Sequence, residues 1–550
     1  MPHRKPACQE NTAIDALRNE IVKATVARSL QRGELEFRSN NQKKGLPLKP
    51  RKQASPSPRF EEIELKLALP SADPSSLAQQ LASVPALKRH KASHEHLHSV
   101  YYDTPEQRLR QQRTALRIRR IGSASSVNPV WIQTLKTGGR DDSALSQRGE
   151  WESPVPDASL SFGALKETPW PAIDPDGTLF LSLAPCFVTR FERTAWQVRQ
   201  RDGSVVEVAL DIGQIEAGGK VTPLCELELE LKSGPTAGLF HLAHKIARSM
   251  AVLPSTMSKA ERGFALAQDT LHRPRHTQPQ TLDPKQPLPL TAQRVLREMF
   301  NQFTANLNAL RASDDPELVH QARIGWRRFQ SARRLFGPVL VRESIPDWEP
   351  LQALLRSLGT LRDLDVARTV TLPPLATVYS AGETARTSTW DAMMQTLNDA
   401  STQQRQGVRE ALLSPLVGAC LLDTTQWLEE PFALKDAAHK PPKKISLRKW
   451  ADHRISRLND KLQKALAETS HPDEPHRVRL LAKRLRYGIE VLRAQLPPRH
   501  AQQWHQQASQ LQLRLGATRD ITQASLLLTQ LPVDASLAEF LRGFSLRQRR

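Results

Sequence analysis

Apolar and polar residues follow two different periods along this chain. Between about residues 60 and 268 they alternate with a period of two, which places successive side chains on opposite faces of a strand. Helical interludes interrupt this pattern near residues 75–91 and 235–250. From about residue 289 the period is 3.6 residues, which is typical of amphipathic helices. The pattern predicts an α+β multidomain chain, with an antiparallel β domain first and an all-α helical-bundle domain second.

Composition shifts indicate where the domains begin and end. The chain has 550 residues, too many for one core, and 40 prolines that favour linkers. The expected organisation is a flexible basic leader over residues 1–58, a β domain over 59–270, a linker over 271–288, a helical domain over 289–535 and a basic tail over 536–550. A start codon assigned too far upstream is an alternative explanation for the leader.

Charge and cysteine content restrict the partners and the compartment. The net charge is +21, and most of the excess lies in the helical half, which would attract a polyanion such as nucleic acid, anionic lipid or polyphosphate. Four scattered cysteines indicate neither a disulfide framework nor a zinc site and fit a reducing cytosol. No apolar segment is long enough to span a bilayer and no signal sequence is evident, so we expect a cytoplasmic protein without a membrane partner.

Charged residues recur on one face of several predicted strands. Glu62, Glu64 and Lys66 occupy one face of the first strand, and apolar residues occupy the other. An ordinary amphipathic strand with its charges in water would explain this segment alone. The pattern recurs, however, at Arg117 and Arg119, at Arg148, Glu150 and Glu152, at Asp211, and at Glu226, Glu228 and Glu230. This recurrence favours a shared, enclosed face.

Rows of like charge on a strand are unfavourable unless opposite charges lie against them. A closed antiparallel sheet would meet this requirement, because its lumen would collect the charged faces while its apolar faces packed outward against helices. Rows of carboxylates prefer hard cations such as Mg²⁺ or Mn²⁺, and rows of Arg and Lys bind phosphate oxygens. The predicted ligand is short, linear and densely negative.

The order of these motifs resembles the CYTH, or triphosphate tunnel metalloenzyme, superfamily. Glu62-x-Glu64-x-Lys66 matches its ExExK signature. The other matching motifs are Tyr101-Tyr102-Asp103-Thr104-Pro105, Ala115-Leu116-Arg117-Ile118-Arg119, Leu135-Lys136-Thr137, Arg148-x-Glu150, Phe191-x-Arg193-x-x-Trp196, Leu210-Asp211-x-Gly213, Glu226-x-Glu228-x-Glu230-Leu231-Lys232 and Ser258-Lys259-x-x-Arg262-Gly263. The resemblance implies an eight-stranded antiparallel β-tunnel with flanking helices. It also implies hydrolysis of inorganic triphosphate or thiamine triphosphate, or cyclisation of ATP.

The resemblance implies a role for each charged residue. The implied catalytic residues are Glu62, Glu64, Lys66 and Asp211. The residues that would bind substrate phosphates are Lys66, Arg117, Arg119, Lys136, Arg148 and Arg193. The ligands of one or two Mg²⁺ or Mn²⁺ ions would be Glu62, Glu64, Glu150, Asp211, Glu226, Glu228 and Glu230. The implied chemistry is in-line attack of water on a terminal phosphorus.

Other candidate sites are weaker. A cluster of histidines could hold a metal, although a solvated loop before a strand at residues 99–103 is the better prediction. Its members are His90, His94, His96 and His98. Lys259 could reach substrate, and a purely structural role fits its position equally well. No Walker A loop or GxGxxG motif occurs, so a P-loop or Rossmann nucleotide site is unsupported.

The helical half contains an internal duplication. A motif led by histidine occurs at residues 320–328 and 476–484, and a Leu-Gly followed by Arg-Asp comes after each copy. Helical spacing places the basic residues of each copy on one face, although a merely solvated face is an alternative. The pattern resembles the CHAD domain, which implies binding of inorganic polyphosphate. The implied residues are His320, Arg323, Arg327, Arg328, His476, Arg479, Lys483, Arg484 and Arg486.

Several functions are compatible with these motifs. The leading prediction is an inorganic triphosphatase, forming pyrophosphate and phosphate, whose helical domain binds inorganic polyphosphate. Thiamine triphosphatase, adenylate cyclase and non-catalytic polyphosphate binding are alternatives. A nucleic-acid binder is disfavoured, because aromatic residues make up only 5% of the chain and few lie among Arg and Lys, where they could stack on bases.

Overall fold

The computed structural model describes residues 61–71, 73–122, 129–139, 142–278, 280–340, 345–430, 432, 446–468 and 474–547. The expected leader over residues 1–58 lies outside the described residues. The described part has a β domain followed by a helical domain, as the two hydrophobic periods predicted. None of its helices combines the length and the apolar character needed to cross a membrane.

Eight antiparallel strands close into a barrel, and a short ninth strand extends its rim. The strands are Glu61–Ala68 (β1), Ala92–Asp103 (β2), Ala115–Ile121 (β3), Val130–Lys136 (β4), Leu145–Val155 (β5), Ala184–Arg199 (β6), Val205–Ala217 (β7), Lys220–Ser233 (β8) and Leu253–Pro254 (β9). Their order is β5-β4-β3-β2-β6-β7-β8-β1. The sheet closes because β1 pairs with β8 on one side and with β5 on the other, where β9 pairs with its last residues.

Alternation along the strands separates a charged lumen from an apolar outer layer. The helices of this domain are Leu77–Ser83 (α1), Arg108–Gln111 (α2), Trp170–Ile173 (α3), Thr178–Leu181 (α4), Ala237–Ala247 (α5) and Lys259–Ala267 (α6). Leu65 and Leu67 of β1 are fully buried in one core with Leu242 of α5. Of the first predicted interlude, residues 75–91, only α1 is α-helical.

Helix α6 lies across β6, β7 and β8. Ser258 begins it with a capping box, in which its side chain accepts from the Glu261 N–H while the Glu261 carboxylate accepts from the backbone N–H of Ser258. Phe264 packs edge-on against Phe187 with ring centroids 5.1 Å apart. A Cβ on Gly263 would lie 2.3 Å from the Phe187 ring, so the close approach of α6 to the sheet requires glycine there.

The helical domain contains ten α-helices within the described residues. They are Leu288–Leu310 (α7), Pro316–Phe336 (α8), Gln352–Val366 (α9), Ala376–Ser380 (α10), Thr384–Ala411 (α11), Pro415–Glu429 (α12), Leu447–Ala467 (α13), Glu474–Leu492 (α14), Pro498–Leu528 (α15) and Ala535–Arg547 (α16). Helices α7 and α8 pack so closely at Gly325 that a Cβ there would lie 2.8 Å from the backbone nitrogen of Phe303.

The expected basic tail over residues 536–550 is wrong for its described part. Residues 535–547 form helix α16, and Leu537 and Leu541 are fully buried in a core with Tyr379 and Trp390. The apolar residues of this segment recur every three or four positions and form the buried stripe of a helix. The tail was predicted from the basic residues at the end of the chain, and the apolar stripe before them was not considered.

The two domains pack directly against each other. Leu422 of α12 belongs to the core of the β domain, and Leu253 of β9 belongs to the core of the helical domain. The backbone of α12 comes close to the rim, since a Cβ on Gly418 would lie 2.5 Å from the Val252 carbonyl oxygen. The tunnel rim and helical domain therefore share buried apolar surface, which stabilises their relative placement.

Candidate active site in the tunnel

The lumen of the barrel holds a cavity of about 260 Å³. Its lining includes eight basic residues: Lys66, Arg117, Arg119, Lys136, Arg148, Arg193, Lys232 and Lys259. It also includes eight acidic residues: Glu62, Glu64, Glu95, Glu150, Glu152, Glu207, Glu228 and Glu230. Charged side chains thus dominate the cavity wall, and basic side chains lie next to acidic ones.

One group of ion pairs surrounds the carboxylates of β1. Glu62 Oε2 lies 2.8 Å from Lys136 Nζ and 3.0 Å from Arg148 Nε. Glu64 Oε1 lies 2.6 Å from Arg148 Nη2 and also contacts the Lys66 ammonium. Burial raises the pKa of both carboxyls, but the adjacent cations outweigh it and hold each pKa below its usual range. Both side chains are therefore ionised at neutral pH.

A second group of ion pairs surrounds Asp211, which is fully buried. Arg193 binds it with two bonds, from Nε to Oδ1 at 2.8 Å and from Nη2 to Oδ2 at 2.7 Å. Lys259 Nζ lies 2.8 Å from Asp211 and 2.9 Å from Glu228, and it also contacts Glu226. Burial raises the pKa of Asp211 and Glu228, but Lys259 and Arg193 outweigh it and lower the pKa of both.

Three of these carboxylates could hold a metal ion. One ligand atom from each of Asp211, Glu226 and Glu228 lies within 4.8 Å of the others. All the donors are carboxylate oxygens, which suit hard cations such as Mg²⁺ and Mn²⁺. The donor set therefore fits the metal that the resemblance implied. The Lys259 ammonium contacts all three carboxylates, so it shares this cluster with any bound cation.

Arg119 differs from the other lumen cations that were predicted to bind phosphate. No carboxylate of the described residues lies within 4 Å of it, and its Nε donates to Ser99 Oγ at 3.2 Å. Burial, together with Arg117 and Arg193, lowers the pKa of Arg119 to about 10. Three guanidiniums thus repel one another near one point of the lumen. An anion placed there would relieve that repulsion without breaking an ion pair.

Most of the predicted tunnel residues come together, but their depth in the wall differs. All six predicted phosphate-binding residues line the cavity, as do Glu62, Glu64, Glu150, Glu228 and Glu230. Asp211 and Glu226 do not line it and lie behind Lys259 and Arg193. Glu230 pairs with Lys232 at 2.7 Å and does not belong to the group of three carboxylates, so it is the weaker candidate ligand.

Sequence reasoning underestimated Lys259 and overlooked Tyr101 as a site residue. Lys259 opens α6 directly after a capping box, a signal that would have placed its side chain at the start of a helix. Tyr101 lies on the same face of β2 as Ser99, and the Arg117 Nη1 is 3.4 Å from its phenolic oxygen. Burial raises the pKa of Tyr101, but Arg117 and Arg119 outweigh it and lower the pKa.

The histidine cluster does not form the predicted loop. His94, His96 and His98 lie within β2, which begins at Ala92. His94 and His96 are exposed, and no group of three potential ligands that includes a histidine occurs among the described residues. The strand is longer than predicted because β2 pairs with β6 from Ala92 onward. Backbone pairing outweighed the polar composition of this segment.

The first copy of the repeated motif forms a surface that we call the helical basic face, made of His320, Arg323 and Arg327 on α8 and Arg362 on α9. Burial and then Arg362 lower the pKa of His320 to about 4, while Glu317 raises it. The Arg323 guanidinium lies over Gly359 of α9, where a Cβ would be 2.9 Å from its Nη1. Sequence reasoning did not assign Arg362 to this site, although it belongs to the repeated signal.

Arg328 points away from the helical basic face. It is 5% exposed, and its Nη1 donates to Gln302 of α7 at 2.8 Å. In the second copy Arg479, Lys483, Arg484 and Arg486 lie on α14 and are partly buried. Arg486 pairs with Glu490 at 2.8 Å and lies over the Tyr487 ring. The side chain of His476 lies outside the described part of the structure.

Both domains match known families. Residues 61–264 match the family model of the CYTH domain, and residues 294–529 match that of the CHAD domain. An inorganic triphosphatase from Haemophilus influenzae is 35% identical over 208 residues, which are 38% of this chain and 55% of that protein. The chain thus spans about half the length of this curated relative.

Two solved structures are also similar in part. The CHAD domain from the plant Ricinus communis covers 50% of this chain and 92% of its own, with 25% identity and a TM-score of 0.43. A Hippeastrum protein described as having a dominant triphosphatase activity covers 38% of this chain and 95% of its own, with 19% identity and a TM-score of 0.28.

Proposed function

This chain carries a CYTH domain followed by a CHAD domain, and we propose that it is a metal-dependent inorganic triphosphatase. The tunnel would convert triphosphate to pyrophosphate and phosphate, with Mg²⁺ or Mn²⁺ as the cofactor. The helical domain would bind inorganic polyphosphate through the basic faces of α8 and α14. The similarity to the Haemophilus influenzae triphosphatase supports the reaction class.

The charged lumen is the observation that carries the proposal. Sixteen of the 23 residues that line the cavity are charged, and Tyr101 is the one aromatic residue among them. Tyr101 is already stacked on Phe187 with ring centroids 4.5 Å apart. A thiamine or adenine ring would therefore find no free stacking surface in the described lining. This favours inorganic triphosphate over thiamine triphosphate and ATP.

Different residues of the lumen would have different roles in phosphoryl transfer. Arg117, Arg119 and Arg193 would bind the non-bridging phosphate oxygens and stabilise negative charge as it shifts toward the leaving pyrophosphate. Asp211, Glu226 and Glu228 would hold the metal, which would polarise the substrate phosphates when bound. Glu64, with its lowered pKa, would be ionised and able to accept a hydrogen bond from the attacking water.

The three described cysteines support a cytoplasmic location, which we include in the proposal. Cys186, Cys225 and Cys420 are free thiols. Burial raises the pKa of each, so none is activated as a thiolate. Unpaired, unreactive cysteines are typical of proteins kept in a reducing compartment.

A substrate comparison tests the proposal. The full-length protein would be incubated with Mg²⁺ or Mn²⁺ and equal concentrations of inorganic triphosphate, ATP or thiamine triphosphate. Phosphate release should have a kcat/KM for inorganic triphosphate at least about tenfold above the others. A preference for thiamine triphosphate or ATP would contradict the assigned substrate. No release from any of the three would mean that the tunnel only binds.

A further inference from the structure

Helix α7 carries a polar stripe whose members are buried or half-buried. Its members are Arg297, Asn301, Thr304 and Asn308 within the helix and Arg311 at its C-cap, which are spaced by four and three residues in turn and so share one side of the helix. Polar groups rarely become buried without hydrogen-bond partners. The partners of this stripe therefore indicate what the helix does beyond packing in its own domain.

Four side chains of the stripe reach the tunnel domain. The Asn301 amide donates to the carbonyl of Asp142, just before β5, and Arg297 Nη1 lies 3.4 Å from the Asp142 carboxylate. Asn308 Nδ2 donates to the Pro254 carbonyl in β9 at 2.9 Å. Arg311 Nη2 donates to the carbonyl of Leu69, directly after β1, at 2.8 Å. Helix α7 is thus tied to three neighbouring segments at one edge of β1.

Two of those segments hold the backbone of Lys66. The Lys66 N–H donates to the Ala144 carbonyl, two residues after Asp142, at 2.9 Å. The Lys66 carbonyl accepts from the N–H of Ser255, the residue after Pro254, at 3.0 Å. Both peptide groups of Lys66 are therefore bonded to segments that α7 anchors. The side chain of Lys66 points into the lumen, where it contacts Glu64.

We infer that Asn301 and Asn308 are positioning residues of the tunnel site. They fix the segments at residues 142–144 and 254–255, which in turn fix the backbone at Lys66 and the contact between Lys66 and Glu64. The helical domain thus completes the wall of the triphosphate site from outside, in addition to presenting its own basic face. The kinetic part of this inference rests on the proposed triphosphatase function.

A matched pair of full-length variants tests the inference. Asn301→Ala combined with Asn308→Ala removes both anchors. The control is Asn306→Ala, a fully buried asparagine of α7 that donates to the carbonyls of Arg275 and Gln302 and not to the tunnel. Both should lower the melting temperature. Only the double variant should lower kcat for triphosphate, by about ten- to a hundredfold with a smaller change in KM, because misplaced catalytic groups slow the chemical step.

Hydrogen exchange at the Lys66 amide gives a readout that needs no turnover. Exchange there should be faster in the double variant than in Asn306→Ala, because the Ala144 acceptor is no longer anchored. Equal exchange at Lys66 and equal kcat in the two variants would overturn the inference. A wild-type protein that releases no phosphate would instead refute the triphosphatase proposal, and exchange at Lys66 would still decide the positioning by α7.

Discussion

The tunnel and the helical basic face both gather cationic side chains, but they balance their charge differently. In the lumen, eight basic residues face eight acidic ones, with direct ion pairs such as the one between Arg148 and Glu64 at 2.6 Å. On the helical basic face the largest charge effect on His320 comes from the Arg362 guanidinium, while Glu317 and Asp365 act on Arg362. Burial and Arg362 lower the pKa of His320 to about 4, and burial lowers that of Arg362 despite Glu317 and Asp365.

This difference separates a catalytic arrangement from a binding arrangement. Paired charges in a closed barrel fix each side chain before substrate arrives, which is the condition for stabilising a transition state. The basic residues of the helical face are half-buried on helices outside the barrel, where their combined positive charge would attract a polyanion. The comparison supports the proposal that short triphosphate is the ligand of the tunnel and long polyphosphate that of the helical domain.

Metal removal should give the largest effect and should act on one region only. EDTA should lower phosphate release from triphosphate by at least about a thousandfold, since the ionised Asp211 and Glu228 would otherwise repel the substrate. Added Mg²⁺ or Mn²⁺ should restore it. Polyphosphate binding, measured by fluorescence anisotropy, should persist in EDTA. Turnover unaffected by EDTA would contradict a metal-dependent tunnel.

Arg119→Lys should give a smaller effect than metal removal. Lysine keeps the charge but loses the planar fork of donors that binds two phosphate oxygens, so KM for triphosphate should rise about tenfold. The control is Arg120→Lys on the same strand, where alternation points the side chain away from the lumen. Steady-state kinetics would measure KM for triphosphate in both variants, and KM should rise only in Arg119→Lys. An unchanged KM in Arg119→Lys would place the triphosphate elsewhere in the cavity.

Arg323→Ala combined with Arg327→Ala should act on the other region. Polyphosphate affinity should fall about tenfold, and the dependence of the dissociation constant on salt should become weaker, because fewer phosphates are neutralised. Triphosphate turnover should stay close to the wild-type rate. The control is Arg356→Ala, an exposed arginine of α9 outside the helical basic face. Equal polyphosphate affinity in the two proteins would dismiss this face as the binding site.

Protonation of His320 should give the smallest effect. Its folded pKa of about 4 lies below its ordinary value of 6.5, so the stability that it contributes is present above pH 6.5 and declines as the pH falls toward 4. Polyphosphate should raise this pKa, because a nearby anion favours the charged imidazolium. An NMR titration of the His320 ring, assigned with His320→Gln, measures both. A pKa near 6.5 without ligand would contradict the buried, cation-rich environment.

Alternation predicted the charged faces of the strands, and the order of the motifs, through the family resemblance, predicted the closed sheet around them. Glu62, Glu64 and Lys66 do face inward while Leu65 and Leu67 face the core, because side-chain direction on a strand depends on position alone. The pairing of β1 with β5 and β8 then brings Arg148 and Glu228 to these residues. The residues of the lumen could thus be predicted from the local sequence together with the order of the motifs.

Features that depend on packing between distant elements could not be predicted in this way. The contact of Lys259 with three carboxylates depends on where α6 crosses the sheet, and the inward turn of Arg328 depends on the approach of α7. The sequence analysis assigned no role to the polar stripe of α7. Its partners, such as the Pro254 carbonyl, belong to another domain and leave no local pattern in the sequence.

Phosphate release by Glu64→Gln tests the central claim most directly. Glu64 is buried in the lumen against Lys66 and Arg148, whereas Glu61 on the same strand is exposed and contacts only the Gln147 amide among its described hydrogen-bond partners. With saturating triphosphate and Mg²⁺, Glu64→Gln should lose about a hundred- to a thousandfold in kcat, and Glu61→Gln should keep the wild-type rate. Wild-type turnover by folded Glu64→Gln would contradict the assignment of the tunnel as the catalytic site.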